Sequence, residues 1–394
     1  MIGSPSAPVP LPDGTATSAS KIQSIRWDAS SYTYAAIGSD LWPATWMADG
    51  DVLVGWGDGA GFGPDPKANY NDGPGRNSWG FTVISGTPPG ALTYTNIWGG
   101  DATKQTPTFG GKGGPILSAG GDLYFSIYCY YPPNETYPNG KPANQQSGCP
   151  QDPNKPGNDL VAAIVGYSTN GGAAWSVASW SFLDHGFAGP IAFVQFGKDN
   201  GAVPSALGSD YVYGYVRDAK SNYYLLRVPT AKVTSISDYE ILAGVSASNV
   251  ASWSSDLEDR QYPVGKSPGA LDNFVVYDPA LHAYIAAGTW GNGCGQVVFY
   301  ESANPWGPWT TFAHYADWPN ENTKPNDLTT LPGANGPQGN EQADGFNLVP
   351  KWFSSDGLDF WVTFACYRSG GSYGDDDSYN DRFNLIHGTF ELAK

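Results

Sequence analysis

Basic residues are scarce in this chain. It has 20 Lys and Arg against 37 Asp and Glu, a net charge of −17, so it lacks the basic surface that phosphate-backbone binding requires and nucleic acid is excluded as a partner. Charged residues of both signs make up only 14% of the sequence, and no apolar run approaches the length needed to cross a bilayer, which excludes a membrane-spanning helix. Sustained helical periodicity is absent, so a helical bundle is excluded. There are only 4 Cys, and none has the close Cys/His spacing of a zinc site, so no metal ligands are assigned. The opening Met1-Ile2-Gly3-Ser4 lacks the charged and apolar regions of a signal peptide and reads as a start that replaces a removed leader.

Gly (51), Pro (32) and aromatic residues (14%) are abundant, the balance expected of many short strands joined by tight turns. Proline-containing apolar stretches recur around Pro43, Pro115, Pro190, Pro268 and Pro350, at intervals of 72, 75, 78 and 82 residues. A period this even marks a repeat architecture. The third repeat shows the unit best, with strands expected over 190–196, 210–216, 223–228 and 239–243. Second strands of the other repeats are expected over 51–57, 122–128, 282–290 and 358–365. Third strands are expected over 80–84, 162–167, 296–301 and 385–389.

Four antiparallel strands per unit, repeated radially, predict an all-β fold, a five-bladed β-propeller. Residues 1–23 are expected to be a flexible N-terminal segment and 24–394 a single domain. A segment within 24–37 is expected to pair with the C-terminal strand and so remove an open edge. Insertions at 132–158 and 319–346 interrupt the rhythm, and the second is expected to end near the central mouth.

Low pI, few lysines and many small polar residues predict a secreted, extracellular protein. An even Cys count in such a chain favours two disulfides, 129–149 and 294–366, although three pairings remain open. Asn134-Glu135-Thr136 is a glycosylation acceptor triplet.

Cleaving a glycosidic bond takes two carboxyl groups, one to protonate the leaving oxygen and one to activate water or attack carbon. In a propeller they project from blade starts into the central depression. Asp40, three residues before Pro43, is assigned as general base or nucleophile. Glu341 or Asp344 is assigned as the acid, with Asp58 and Asp272 as supporting carboxylates. Asp375-Asp376-Asp377 reads as solvated loop. Lys112, His185 and Lys266 precede other blade starts; they either pair with these acids or recognise an anionic sugar. Trp42 and Trp290 are assigned to stack on sugar faces. No cofactor is expected, with a structural cation in the central channel left open. The partner is a polysaccharide or oligosaccharide, and the protein is expected to be a monomer.

Ser168-Thr169-Asn170-Gly171-Gly172-Ala173-Ala174-Trp175 resembles the Asp-box turn of sialidase-type propellers, with Asn in place of Asp. The segment Tyr300 to Thr310, with Pro305-Trp306-Gly307-Pro308-Trp309, resembles the blade turn of five-bladed furanosidases, which makes Glu301 peripheral to any site. Gly38-Ser39-Asp40-Leu41-Trp42-Pro43, followed by Ala48 to Gly59, is similar to the start of a secreted bacterial and fungal family first catalogued as a domain of unknown function. That family includes endo-D-arabinanases on a five-bladed propeller. The resemblance covers most of 26–394 and implies a glycoside hydrolase acting on furanoside linkages. Two alternatives stand beside it: a lyase acting on a uronate-containing glycan through Lys112, His185 and Lys266, and a non-catalytic glycan-binding propeller.

Overall fold

The computed structural model describes residues 20–63, 77–100, 108–133, 142–143, 146, 163–266, 274–289, 297–315, 318, 322–323, 326–327, 341–368 and 382–394. These residues are all-β, with no α-helix among them and only short 3-10 turns. Strand β1 (Ile22–Ala35) is followed by an antiparallel array of β2 (Ala44–Trp46), β3 (Val52–Gly59), β4 (Asn77–Ser85) and β5 (Thr93–Trp98). The next array is β6 (Gly110–Ala119), β7 (Asp122–Tyr131), β8 (Ile164–Ser168) and β9 (Ser176–Val177). A third runs β10 (Ala192–Gln195), β11 (Tyr211–Arg217), β12 (Asn222–Pro229) and β13 (Glu240–Val245), extended by β14 (Ala251–Ser254) and by β15 (Gly265–Lys266) on β12. The fourth is β16 (Phe274–Asp278), β17 (Ala283–Thr289), β18 (Val297–Ser302) and β19 (Thr310–Tyr315). A small hairpin, β20 (Asn322–Thr323) and β21 (Asn326–Asp327), precedes β22 (Glu341–Leu348), β23 (Asp359–Arg368) and β24 (Phe383–Leu392).

The last array is completed by the first strand. β1 pairs antiparallel with β24, from Ile22 opposite Leu392 to Ala35 opposite Phe383. The pairing expected of the two chain ends is therefore present, and it covers what would be an open edge on β24. Glu301 reinforces it. This carboxylate, 8% exposed, accepts the backbone N–H groups of Lys21 and Ile22 and so anchors the start of β1 to the neighbouring array.

Alternation explains why these segments become strands. Along β11 the side chains of Val212, Tyr213, Tyr215 and Val216 are all buried, because one face meets the second array and the other meets the fourth. Each large apolar cluster lies between consecutive arrays. One joins Leu53 and Phe81 to Ile116 and Phe125; another packs Val212 and Leu226 on Leu117 and Val165. A further cluster packs the last array against the first, with Trp361 and Leu385 against Val52 and Val54. The resemblance drawn from Ser168 to Trp175 holds in its geometry. Asn170 Oδ1 accepts from Ala174 N–H at 2.9 Å, and the Trp175 ring stacks on Phe81 of the preceding array, centroids 4.3 Å apart.

Three expectations change. The fifth repeat does not begin at Pro350: β22 already forms the edge strand of the last array ahead of it, and Pro350–Trp352 is a 3-10 turn. The segment 319–346 is therefore not loop throughout. Its Gly, Asn and Gln content hides a strand whose order comes from pairing with β23, Leu348 opposite Val362. The third array also carries more than four strands, with β14 on its outer edge. In addition, β10 and β16 pair in parallel, Val194 opposite Val275, so the third and fourth arrays join into one continuous sheet.

Candidate active site

The proline stretches of the first three repeats do meet. Pro43, Pro115 and Pro190 line one cavity of about 250 Å³ together with Leu41, Gly113, Gly114, Tyr128, Gly189, Arg217, Gly345, Phe346 and Asn347. Its polar side chains come from three arrays: Tyr128 on β7, Arg217 at the end of β11 and Asn347 on β22.

Asp40 stands one residue before Leu41. It forms an isolated bridge with Gly57, N–H to Gly57 O at 3.1 Å and O from Gly57 N–H at 3.0 Å. The residue is 8% exposed and is not among the cavity-lining residues, and its Oδ1 is buried with no hydrogen-bond partner among the described residues. A buried carboxylate oxygen without a donor is costly, and such groups in folded proteins are satisfied by water, ion or ligand. The close approach of this segment depends on glycine. A Cβ on Gly57 would lie 2.2 Å from Asp40 Oδ1, and one on Gly59 would lie 2.0 Å from Ser39 Oγ. The run Gly55-Trp56-Gly57-Asp58-Gly59 on β3 thus leaves room for the chain of 38–42 to lie on it.

Leu41 and Trp42 are both left-handed, at φ 75° and 58°. A non-glycine residue held there costs about 1–3 kcal/mol, and such strain collects at functional sites. The two carbonyls of this strained turn are held from the last array. Asn347 Nδ2 donates to Leu41 O at 3.1 Å, and Thr363 Oγ1 donates to Trp42 O at 3.1 Å.

Lys112 and Asp58 are brought together as an ion pair with side-chain exposures of 18% and 21%. Lys112 sits opposite Tyr128 in the register of β6 and β7, beside a bulge in which Gly111 and Cys129 both have positive φ. The bulge re-aims this stretch toward the cavity wall formed by Gly113 and Gly114. Arg217 is followed by Asp218, whose carboxylate accepts from Lys220 N–H, Asn222 N–H, Asn222 Nδ2 and the Tyr224 hydroxyl at 2.8–3.1 Å. Burial acts to raise the Asp218 pKa, but these bonds outweigh it and hold the carboxyl below the usual range. These bonds hold together the turn that follows Arg217 and leads from β11 into β12. Burial and the Asp218 charge push the Tyr224 hydroxyl up to about 12.

Other assigned residues fall elsewhere. Trp42 is fully buried and its indole N–H donates to Arg382 O at 2.9 Å, so it packs in the core instead of offering a ring face to a sugar. Its left-handed backbone turns the ring inward, where Phe383 meets it edge-on at 5.2 Å. His185 ends the 3-10 turn Phe182–His185, and its carbonyl accepts from Arg260. Lys266 lies on β15 opposite Asn222. Glu341 and Asp344 lie on β22, opposite Arg368 and Ala365; their side chains are outside the described residues. Asp272, Trp290, Asn134, Cys149, Cys294 and Asp375 to Asp377 lie outside them altogether. Among the described residues no group of His, Cys, Asp and Glu is arranged to hold a metal.

Tyr128 and Arg217 escaped the sequence reading, yet they follow the rule that selected Asp58. Each stands at or near the cavity end of the second strand of its array. Arg217 ends the clear alternation of β11, a signal present in the sequence.

No protein-family model matches this chain, and no curated protein matches it. Solved structures similar to it include the GH43_1 enzyme from Xanthomonas citri in complex with xylotriose, at 8% identity over 92% of this chain and 91% of that one, TM-score 0.45. The alpha-L-arabinofuranosidase from Podospora anserina in complex with cellotriose matches at 9% identity over 97% and 95%, TM-score 0.43. The catalytic domain of the Coprinopsis cinerea GH62 alpha-L-arabinofuranosidase matches at 12% identity over 99% and 98%, TM-score 0.42. At these scores the likenesses assign neither family nor activity, and the architecture rests on the strand pairing itself.

Proposed function

We propose that the arrays are five blades of a closed propeller, and that the cavity at the blade starts is the active site of a secreted glycoside hydrolase. Asp40 acts as general base or nucleophile. The acid is Glu341 or Asp344, carried on the strand that brings Gly345 and Asn347 to the cavity. Asp58, held by Lys112, supplies a fixed negative charge nearby. Arg217, Tyr128 and Asn347 take sugar hydroxyls. The observation that carries this reading is the buried Asp40 Oδ1, without a hydrogen-bond partner among the described residues, next in the chain to the strained, cavity-lining Leu41. Chemistry by paired carboxyl groups needs no cofactor.

The opening motif makes arabinans the first substrates to try, followed by other furanoside-containing glycans. The test is reducing-end release by wild-type protein and by Asp40→Asn. The substitution removes a proton-accepting or attacking oxygen while preserving size, so a loss of about 10²–10⁴-fold is expected. Full activity in the Asn variant would remove the assignment. A uronate lyase is the second reading, favoured by Arg217 in the cavity wall. Elimination leaves an unsaturated product that absorbs in the ultraviolet, and hydrolysis does not.

A further inference from the structure

We propose that Asn347 and Thr363 are positioning residues for the Asp40 carboxylate, acting through the carbonyls of Leu41 and Trp42. The role of Asp40 rests on the reading above; the positioning itself does not need it.

A local bond, Trp42 N–H to Asp40 O at 3.1 Å, closes the turn over Leu41, but two consecutive left-handed residues that are not glycine remain strained and need support from outside it. Asp40 precedes them directly, and its bridge to Gly57 fixes its backbone while leaving its side chain dependent on how the turn leaves the bridge. Both grips come from the last array, some 300 residues further along the chain. Asn347 Nδ2 holds the Leu41 carbonyl, and Thr363 Oγ1 holds the Trp42 carbonyl, each at 3.1 Å. Gly345, at φ 76°, completes the seat: a Cβ there would lie 1.9 Å from Leu41 O. Asn347 and Thr363 face each other in the register of β22 and β23, so the two donors form one cross-strand pair aimed at successive carbonyls. Thr363 is fully buried and does not line the cavity, so its donor has no direct role toward a ligand. The last and first arrays are thereby coupled where the first delivers its carboxylate.

The test is carboxyl labelling with a water-soluble carbodiimide and an amine, quantified on the peptides containing Asp40 and, as a control, Asp218. Thr363→Val keeps the shape and removes the donor; Thr363→Ser keeps the donor; Asn347→Asp keeps the size and loses the N–H. Loss of one ordinary hydrogen bond raises the population of the released turn about tenfold. Asp40 labelling should therefore rise about tenfold in Thr363→Val and Asn347→Asp. It should remain at the wild-type level in Thr363→Ser, with Asp218 unchanged in all three. Equal Asp40 labelling in every variant overturns the proposal, as does a parallel rise at Asp218, which would mean that the bonds hold the fold as a whole. Reducing-end release from arabinan is measured on the same samples. If Asp40→Asn is as active as wild type, Asp40 is not the catalytic group, and the labelling pattern still decides whether its turn is held from β22 and β23.

Discussion

Asp40 lies on the bare α-carbon of Gly57: the two exchange backbone hydrogen bonds of 3.1 and 3.0 Å, and a methyl group on Gly57 would come within 2.2 Å of Asp40 Oδ1. Gly57→Ala is therefore an overpacking change aimed at one carboxylate. It should cost about 1–3 kcal/mol of stability, measured by urea denaturation, because the crowding atom belongs to a turn that cannot retreat without losing the Asn347 and Thr363 bonds. Glycan hydrolysis should fall with it, to an extent comparable with Asp40→Asn. A stable, fully active alanine variant would show that the Asp40 carboxylate does not need this position.

The Lys112 and Asp58 pair is mostly covered, with side-chain exposures of 18% and 21%, so solvent screens it only in part. Removing one partner leaves the other charge half-desolvated. Lys112→Met and Asp58→Asn should each cost about 1–3 kcal/mol, and the double variant should cost clearly less than the sum of the two. Denaturation of all four proteins closes the cycle. Strict additivity would mean that the two side chains do not interact in solution.

Asp278 offers a pH test away from the cavity. Its Oδ1 accepts from Ala280 and Leu281 N–H, at 2.8 and 3.2 Å, while Oδ2 is buried against Gly357 with no hydrogen-bond partner among the described residues. Burial raises the Asp278 carboxyl above its ordinary 3.8, against the two backbone bonds that lower it. A carboxyl raised on folding destabilises the folded state while ionised, and that penalty disappears as pH falls through the raised folded value toward 3.8. Asp278→Asn keeps the Oδ1 acceptor and removes the charge. Near neutral pH it should be as stable as wild type or more stable by about 1 kcal/mol, with the difference closing in acid. Urea titrations at stepped pH measure this, and a difference that widens on acidification has the wrong sign for the mechanism.

Local patterns carried the fold. The alternation of β11 and the Gly turns before β3 and β7 place strands within a few residues of where they form, because both signals come from neighbouring residues. Pro350 misled because proline at a blade start and proline in a 3-10 turn look alike until β22 is seen pairing ahead of it. The site was legible only in part. Asp40 follows from counting back from Pro43, and Asp58 from the end of the strand after it, whereas the inward ring of Trp42 depends on two positive φ angles that sequence spacing does not encode. Asn347 and Thr363 act across the junction of the last and first arrays, and contacts that distant leave no pattern in one sequence.

The turn at Ser168 to Trp175 separates structural from functional tryptophan. Trp175 stacks on Phe81 at 4.3 Å and meets Phe125 edge-on at 5.0 Å, so it fills the seam between the first two arrays. Trp175→Ala should open a cavity there and cost about 3–5 kcal/mol. Asn170→Ala removes only the bonds that shape the turn, Ala174 N–H to Asn170 Oδ1 at 2.9 Å among them, and should cost about 1 kcal/mol. Calorimetry ranks the two. Neither Asn170 nor Trp175 itself lines the cavity at Pro43, Pro115 and Pro190, so rate constants measured well below each variant's unfolding temperature should match wild type. A selective loss of hydrolysis in Trp175→Ala, with its fold intact, would place the substrate at the seam of the first two arrays instead of in the cavity lined by Pro43, Pro115 and Pro190.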